Sequence, residues 1–540
     1  MEFTYRNNIG SLLLRIFIFL SVIFTALFYS FQFTSFMYPK EIILGLFVIL
    51  LVPFLLKEKS GRLDLRILFV FLSMIGVCLF SLSFSKVPEA TLIKMGELSL
   101  IFLAWLGVSF FYTIIVDEKF LFWAVWISGM SVAILTIFQY LGLLPVMFPL
   151  FSHYEQVYSV MGNQILVGGY LSICILWILE RYDDVNVEYL WVGLFIFWGV
   201  VGLFLTQSRS AWLAFFVPFL IYLSRIMKEE SGRRKVYFLV VAVIIGIVIT
   251  FPVVLPRLLS SFSLQDKGFW VRMWIYNGSI KMILNHLPWG VSFGNYYYWS
   301  PLYLGLTAQA SERLLENSNE IITLHAHCDY LEWIAETGIL GLIVILLFYF
   351  SWFIKRGASL VWICWLILSS FNYILLVVPL SYLAFLSNLK RDDKCYVVVS
   401  GLKWKGVAGV YGVVSILVVV FLAVCVWIPD YRLRQAEKKF ILGTECIDDY
   451  KALISKHFTP LSAYEGLANA YIVKGNYVEA YRILLDSLKI SDSGSIYVLL
   501  GRCAYKLGRE DEAIKWYREA IVRLPKNKEA NDFLKRLDKL

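Results

Sequence analysis

The sequence predicts an all-α protein: a polytopic helical membrane domain followed by a second, water-exposed helical region. Three observations carry this prediction. Of 540 residues, 59% are hydrophobic, 17% aromatic and only 16% charged, with a mean hydropathy of +0.70, a balance too apolar for a soluble globule. Apolar runs of roughly bilayer-crossing length recur about thirteen times. After Pro429 the composition turns abruptly to charged, helix-forming residues.

The runs lie near residues 11–33, 41–56, 65–85, 95–115, 119–142, 164–180, 189–206, 211–224, 236–255, 338–354, 358–372, 374–389 and 406–428. Those near 211, 358 and 374 are short or crowded. No small-residue cleavage pattern follows Leu12–Phe33, so it reads as a retained first helix with a cytoplasmic N-terminus. Cytoplasmic loops should then carry the Lys/Arg excess. Lys57, Lys59, Arg62 and Arg66 fall on that side, as do Arg225, Lys228, Arg233, Arg234 and Lys235, and later Lys355, Arg356, Lys390, Arg391 and Lys394. The net charge of +9 is therefore read as topology, and no nucleic-acid partner is inferred from it. The expected organisation is N-terminal spans over 1–256, an outer loop over 257–337, C-terminal spans over 338–428 and an outer helical domain over 429–540.

Eight cysteines without a CxxC pair argue against a zinc ribbon or a thioredoxin-like site. Cys78, Cys174, Cys364 and Cys425 lie in apolar runs and read as small hydrophobes. Cys328, Cys446 and Cys503 fall on the outer face, where an odd number leaves at least one unpaired.

Three outward features precede the motif of most interest. The loop Leu143–Gln164 carries His153, Tyr154 and Gly162-Asn163, and reads as a connection with a helix cap at least as well as a binding loop. The polar break Thr206-Gln207-Ser208-Arg209-Ser210 reads equally as an interfacial arginine or as a phosphate fork, with the hydroxyls of Thr206, Ser208 and Ser210 as further donors. The outer loop is long enough to suggest a function and holds Arg272-Met273-Trp274, Gly294-Asn295 and an aromatic run to Tyr303.

At the end of that loop stand His325, His327 and Asp329, passing without a break into an apolar helix. Ionisable groups at that depth are rarely idle. An imidazole with an ordinary pKa of about 6.5 can accept a proton from a hydroxyl at neutral pH, and Arg209 and Arg272 suit a pyrophosphate that gathers charge as it leaves. The rival chemistry is a metal held by His325, His327 and Asp329, for which His153 and His286 are the further outer imidazoles; the base reading is preferred. Lys94 and Glu97, one turn apart near the start of the fourth span, support a transporter or equally an interfacial ion pair.

In the tail, Leu467, Ala470, Tyr471, Gly475, Tyr477, Ala480 and Tyr481 are echoed by Gly501, Ala504, Tyr505, Gly508, Glu510, Ala513 and Ile514, with 34 residues from Tyr471 to Tyr505. This resembles the tetratricopeptide repeat, which implies a surface for a protein or peptide partner. Residues 430–462 are expected to supply another helical layer.

His327 is followed by Cys328, nine residues from Asp329 to Thr337, and Gly338-Ile339-Leu340-Gly341. This resembles the O-antigen ligase and polymerase superfamily of bacterial membrane glycosyltransferases, whose ligase motif is His, then Asn, Ser or Gln, nine residues, and Gly-x-x-Gly. The spacing matches and Cys328 departs from the second position. Gly162-Asn163, Ser208-Arg209-Ser210 and Arg272-x-Trp274 to Gly294-Asn295 extend the resemblance over roughly residues 160–390. It implies transfer of a glycan from undecaprenyl pyrophosphate, without cofactor or required metal, at the periplasmic face of the inner membrane. It also implies His327 (or His325) as base, Arg209 and Arg272 on the donor pyrophosphate, and Asp329, Ser208 and Ser210 in support. The acceptor is lipid A-core, another glycan or a protein hydroxyl, and a transporter or partner-recruiting scaffold is the alternative of another class.

Overall fold

A computed structural model describes residues 9–111, 118–143, 158–185, 187–228, 232–261, 267–310, 323–356, 359–387, 389, 396–455, 458 and 460–537. Hydrocarbon cannot satisfy backbone N–H and C=O groups, so an apolar run crosses as a helix. The membrane domain is built accordingly from α1 (Ile9–Leu27), α2 (Tyr38–Lys57), α3 (Leu65–Ser81), α4 (Pro88–Phe110), α5 (Glu118–Tyr140), α6 (Gln164–Val185), α7 (Tyr189–Leu205), α8 (Arg209–Ile226) and α9 (Gly232–Ser261). It resumes with α12 (Asp329–Arg356), α13 (Leu360–Phe371), α14 (Val378–Ser387) and α15 (Gly401–Leu422). Among the described residues ten helices are long and apolar enough to cross a membrane, while α7, α13 and α14 are apolar but shorter. These ten and three answer the thirteen runs of the sequence, and the chain is a multi-pass membrane protein.

The span expected as an outer loop is largely helical. It contains α10 (Lys267–His286) and α11 (Tyr296–Gln309), and α12 begins at Asp329, before the loop was expected to end.

The loops separate into two contacting sets. In one, β1 (Ser60–Asp64) pairs antiparallel with β2 (Tyr396–Ser400), Ser60 opposite Ser400 and Asp64 opposite Tyr396. Trp404 Nε1 donates to Leu55 O at 3.1 Å beside this pair, and a Cβ on Gly61 would fall on the Trp404 ring. Glu180 accepts from Ser359 Oγ and Leu360 N, and Arg181 donates to Ser387 O. In the other set, Asn295 Oδ1 accepts from Val87 N at 2.8 Å, its Nδ2 donates to Thr91 Oγ1 at 3.0 Å, and Thr34 N donates to Asp430 Oδ2 at 2.8 Å. The sets are those that the Lys/Arg alternation separates.

Helix α15 runs through a wide-turn segment, Ala423–Trp427, directly into α16 (Ile428–Ile441), so the last span and the tail share one axis. The tail continues with α17 (Ile447–Ile454), then α18 (Leu461–Val473) against α19 (Tyr477–Ser487), α20 (Gly494–Lys506) against α21 (Glu510–Arg523), and α22 (Lys528–Leu537). Its own core includes Leu467, Ala480, Leu484, Leu500, Ala504, Ala513 and Tyr517, and α16 and α17 form the extra layer expected over 430–462. The tail rests on α11: a Cβ on Gly305 would lie 2.0 Å from Val522 O, and Tyr297 OH donates to Ile490 O at 3.1 Å.

Helix α12 is broken at Gly338, whose φ of 63° and ψ of −151° are not helical; the motif does not pass smoothly into the membrane as the sequence suggested. Segment 288–292 fills the break. Val291 N donates to Ala335 O, Ser292 N to Glu336 O and Ile339 N to Pro288 O, all within 2.9 Å. A Cβ on Gly338 would stand 2.1 Å from Pro288 O. Gly341 lies where a Cβ would collide with Thr337 Oγ1, and its carbonyl accepts from Trp333 Nε1 at 2.8 Å. The Gly-x-x-Gly spacing is thus a kink glycine followed by a packing glycine.

Gly338→Ala should therefore carry roughly 1–3 kcal/mol of backbone strain in addition to the clash with Pro288. Thermal unfolding in detergent is expected to show a lowered Tm or no folded yield, whereas Leu340→Ala, on the exposed face, should stay close to wild type.

Candidate active site

Three carboxyl groups on one face of α12 organise the site. Asp329, Glu332 and Glu336 are each buried, and their spacing of three and four residues stacks them one turn above another. Asp329 accepts from Ile374 N and Leu375 N, with Oδ2 at 3.2 and 3.1 Å. Glu332 accepts from Ala326 N at 2.8 Å and meets His325 Nδ1 at 2.9 Å. Glu336 accepts from Tyr296 N at 3.0 Å. Each group ties a different segment to α12: the α13–α14 tip, the histidine loop and the start of α11.

Asp329 is engaged by the chain itself. Its oxygens face backbone N–H groups of the α13–α14 tip, and the carboxyl that orients an imidazole is Glu332. The contact of His325 Nδ1 with Glu332 fixes the orientation of the ring and leaves Nε2 for another partner. The ring also stacks on Tyr373 at 3.8 Å between centroids and 13° between planes. His327 has φ of 51°, a left-handed conformation uncommon for a side-chain-bearing residue. Its carbonyl accepts from Tyr276 OH at 3.2 Å. Backbone outliers held by their surroundings gather at functional sites.

Both imidazoles are held far below their ordinary range. Burial lowers His325 to about 3, with Lys94 adding to the effect and Glu97 opposing it. Burial lowers His327 to about 4, reinforced by His325 and by Arg272. Both rings are neutral at pH 7 and free of the proton a base must lack.

Arg272 on α10 thus lies within electrostatic reach of His327, and α10 is fixed by Trp274 Nε1 donating to Leu304 O at 2.8 Å. Arg209 is the first residue of α8 and is half-buried. The hydroxyls around it serve the protein itself: Thr206 donates to Leu203 O, Ser208 caps α8 by accepting from Ala211 N, and Ser210 accepts from Asn372 Nδ2 at 3.2 Å. The structure joins Arg209 to the histidine loop through the α13–α14 tip, since Asn372 and Ile374 hold Ser210 and Asp329 respectively. Thr206 has spent its hydroxyl proton on Leu203 O, while Ser208 and Ser210 share one hydroxyl proton between their two oxygens.

Lys94 and Glu97 form an ion pair of 2.7 Å, and Lys94 Nζ lies 5.8 Å from the Tyr373 ring on which His325 stacks. The pair weighed as a transporter feature belongs to the histidine cluster. Asn163 Oδ1 accepts from Ile165 N at 2.8 Å, a helix-start contact, while His153 and Tyr154 lie outside the described residues. His286 Nε2 meets Tyr303 OH at 3.0 Å. Cys328, Cys446 and Cys503 are buried and unpaired.

Sequence reasoning missed Glu332, Glu336, Tyr373 and Asn372. The i, i+3, i+7 series of acids beside Asp329, opening an otherwise apolar helix, is the signal that could have found the first two.

Residues 194–346 match the model of the O-antigen ligase family, and residues 494–527 match that of the tetratricopeptide repeat. Each match covers part of the chain: the first runs from α7 into α12 and the second from α20 past α21. The ligase match takes in Arg209, Arg272, His325, His327, Asp329 and both motif glycines. No curated protein matches the chain.

A histidine whose folded pKa is depressed binds protons more readily when the chain unfolds. Stability then rises with pH between about 4 and about 6.5 and is lost as pH falls through that window. Tm in detergent is expected to drop from pH 7 to pH 4.5, and the doubly substituted His325→Gln, His327→Gln protein should show a shallower drop than wild type.

Proposed function

We propose that the protein is a glycosyltransferase of the bacterial inner membrane that moves a glycan from undecaprenyl pyrophosphate to an acceptor hydroxyl on the periplasmic face. The observation that carries the reading is a pair of neutral imidazoles, one oriented by Glu332 and the other beside Arg272, inside a ligase-family domain. His327, at the motif position, accepts the acceptor's proton as that oxygen attacks the anomeric carbon. The bond from that carbon to the phosphate oxygen breaks on the opposite face, inverting the centre. Arg272 and Arg209 receive the charge gathering on the pyrophosphate. His325 and Glu332 hold the loop and its electrostatics around His327.

The Lys/Arg alternation supports a cytoplasmic N-terminus, with the histidine loop and the tail on the periplasmic side. The tail's docking on α11, a helix of the same segment as Arg272, keeps a protein acceptor in play beside lipid A-core and glycan.

Purified protein in detergent, given a short lipid-pyrophosphate glycan and each of the three acceptors, should form product on one of them. His327→Ala should reduce the rate on the order of 100-fold or more, the usual weight of a positioned base. Product formation by His327→Ala at the wild-type rate would overturn the base role. Absence of product on all three, with a donor that a known ligase consumes, would overturn the transfer reading. Glu332→Gln keeps the size of the side chain and removes its carboxyl; it is expected to lower kcat roughly 10- to 100-fold with little change in KM.

A further inference from the structure

Away from the histidine cluster, an open recess of about 440 Å³ is lined by Tyr140, Gln207, Pro252, Pro256, Arg257 and Ser260, with Val253. Its wall is one stripe of α9, because residues 252, 253, 256, 257 and 260 recur at helical spacing on a single face. The opposite side is the end of α5 and the turn into α8. Arg257 Nε donates to Gln207 O at 3.4 Å, and Gln207 stands two residues before Arg209 with a left-handed φ of 54°. The recess therefore shares a wall with the turn that presents Arg209.

Its chemistry is divided along the helix axis. At one end are a guanidinium, a serine hydroxyl, a tyrosine hydroxyl and an amide. On the same stripe, one and two turns back toward the middle of α9, Ile249 and Ile245 are exposed at 56% and 46%. Pro252 and Pro256 cannot donate N–H, so α9 lacks the i→i−4 bonds that would close onto Val248 O and Pro252 O. A polar, cationic head position above an exposed apolar strip is the shape of a single-chain lipid with a phosphate head.

We propose that this recess is a lipid-phosphate site, in which Arg257 takes the phosphate of a membrane lipid while the chain lies along Ile249 and Ile245. The proposal rests on the donor reading above only for the lipid it favours, an isoprenyl phosphate held against the turn that leads into Arg209. The same chemistry is offered by an anionic glycerophospholipid.

The test is equilibrium binding of radiolabelled farnesyl phosphate to the full-length protein in neutral detergent, with farnesol and phosphatidylglycerol as competitors. Saturable binding that farnesol does not displace is expected, weakened about tenfold in Arg257→Gln and less in Arg257→Lys. Val253→Trp, which fills the recess, should weaken it as well, in samples that elute as folded monodisperse protein. Displacement by phosphatidylglycerol at equal concentration would assign the site to bulk anionic lipid, and its failure to displace would assign it to the isoprenyl lipid; either supports a lipid-phosphate site. Binding abolished by Arg209→Gln but untouched by Arg257→Gln and Val253→Trp would overturn the recess and leave the donor reading standing. Loss of transfer activity with farnesyl phosphate binding intact would separate failure of the donor reading from failure of this one. Binding that farnesol matches, or no saturable binding, would overturn the proposal.

Discussion

Everything at the functional end depends on buried carboxyl groups finding backbone N–H partners. A carboxyl taken out of water must be hydrogen-bonded or lose far more than it gains, and Asp329, Glu332 and Glu336 meet that demand by each seizing a different chain segment. The arrangement replaces what secondary structure cannot supply there. The α13–α14 tip, the histidine loop and the start of α11 share no regular ladder, yet all are referenced to one helix. The unusual backbone of His327 and the kink at Gly338 persist because the segments on either side are fixed.

The α13–α14 hairpin explains why the histidines are partly sheltered from water. Helices of 12 and 10 residues rise roughly 18 and 15 Å, against a hydrocarbon core of about 30 Å. Their tip is buried through Ile374 and Leu375, and His325 stacks on Tyr373 within it. The packing of this tip against the histidine loop shelters both imidazoles, and that shelter depresses them.

Much of the architecture was legible because hydropathy and charge act locally. Spans, their alternation and the repeat can each be read from a short window, and the motif spacing marked the histidines. What was hidden depends on contacts between distant segments. Gly338 reads as one small residue among apolar ones until Pro288 is placed against it. Glu332 and Glu336 look like ordinary charges at a helix start, and Lys94 with Glu97 like an interfacial pair, until Tyr373 and His325 arrive beside them. Helix α11, with Pro301 inside it and Gly305, is a poor helix by propensity; the tail packed on Gly305 supplies the reason for it.

The pairing of β1 with β2 sets a schedule for the ribosome. Leu55 and Trp404 are 349 residues apart, and Leu103 and Tyr411 are 308 apart, so α2 and α4 leave the synthesis machinery long before α15 exists to cover them. At roughly 5–20 residues per second that interval is tens of seconds, during which faces later sealed by Trp404 and Tyr411 stand open to lipid. The tail is made after α11 and comes to rest on it, so the helix that precedes the histidines waits for its cover in the same way.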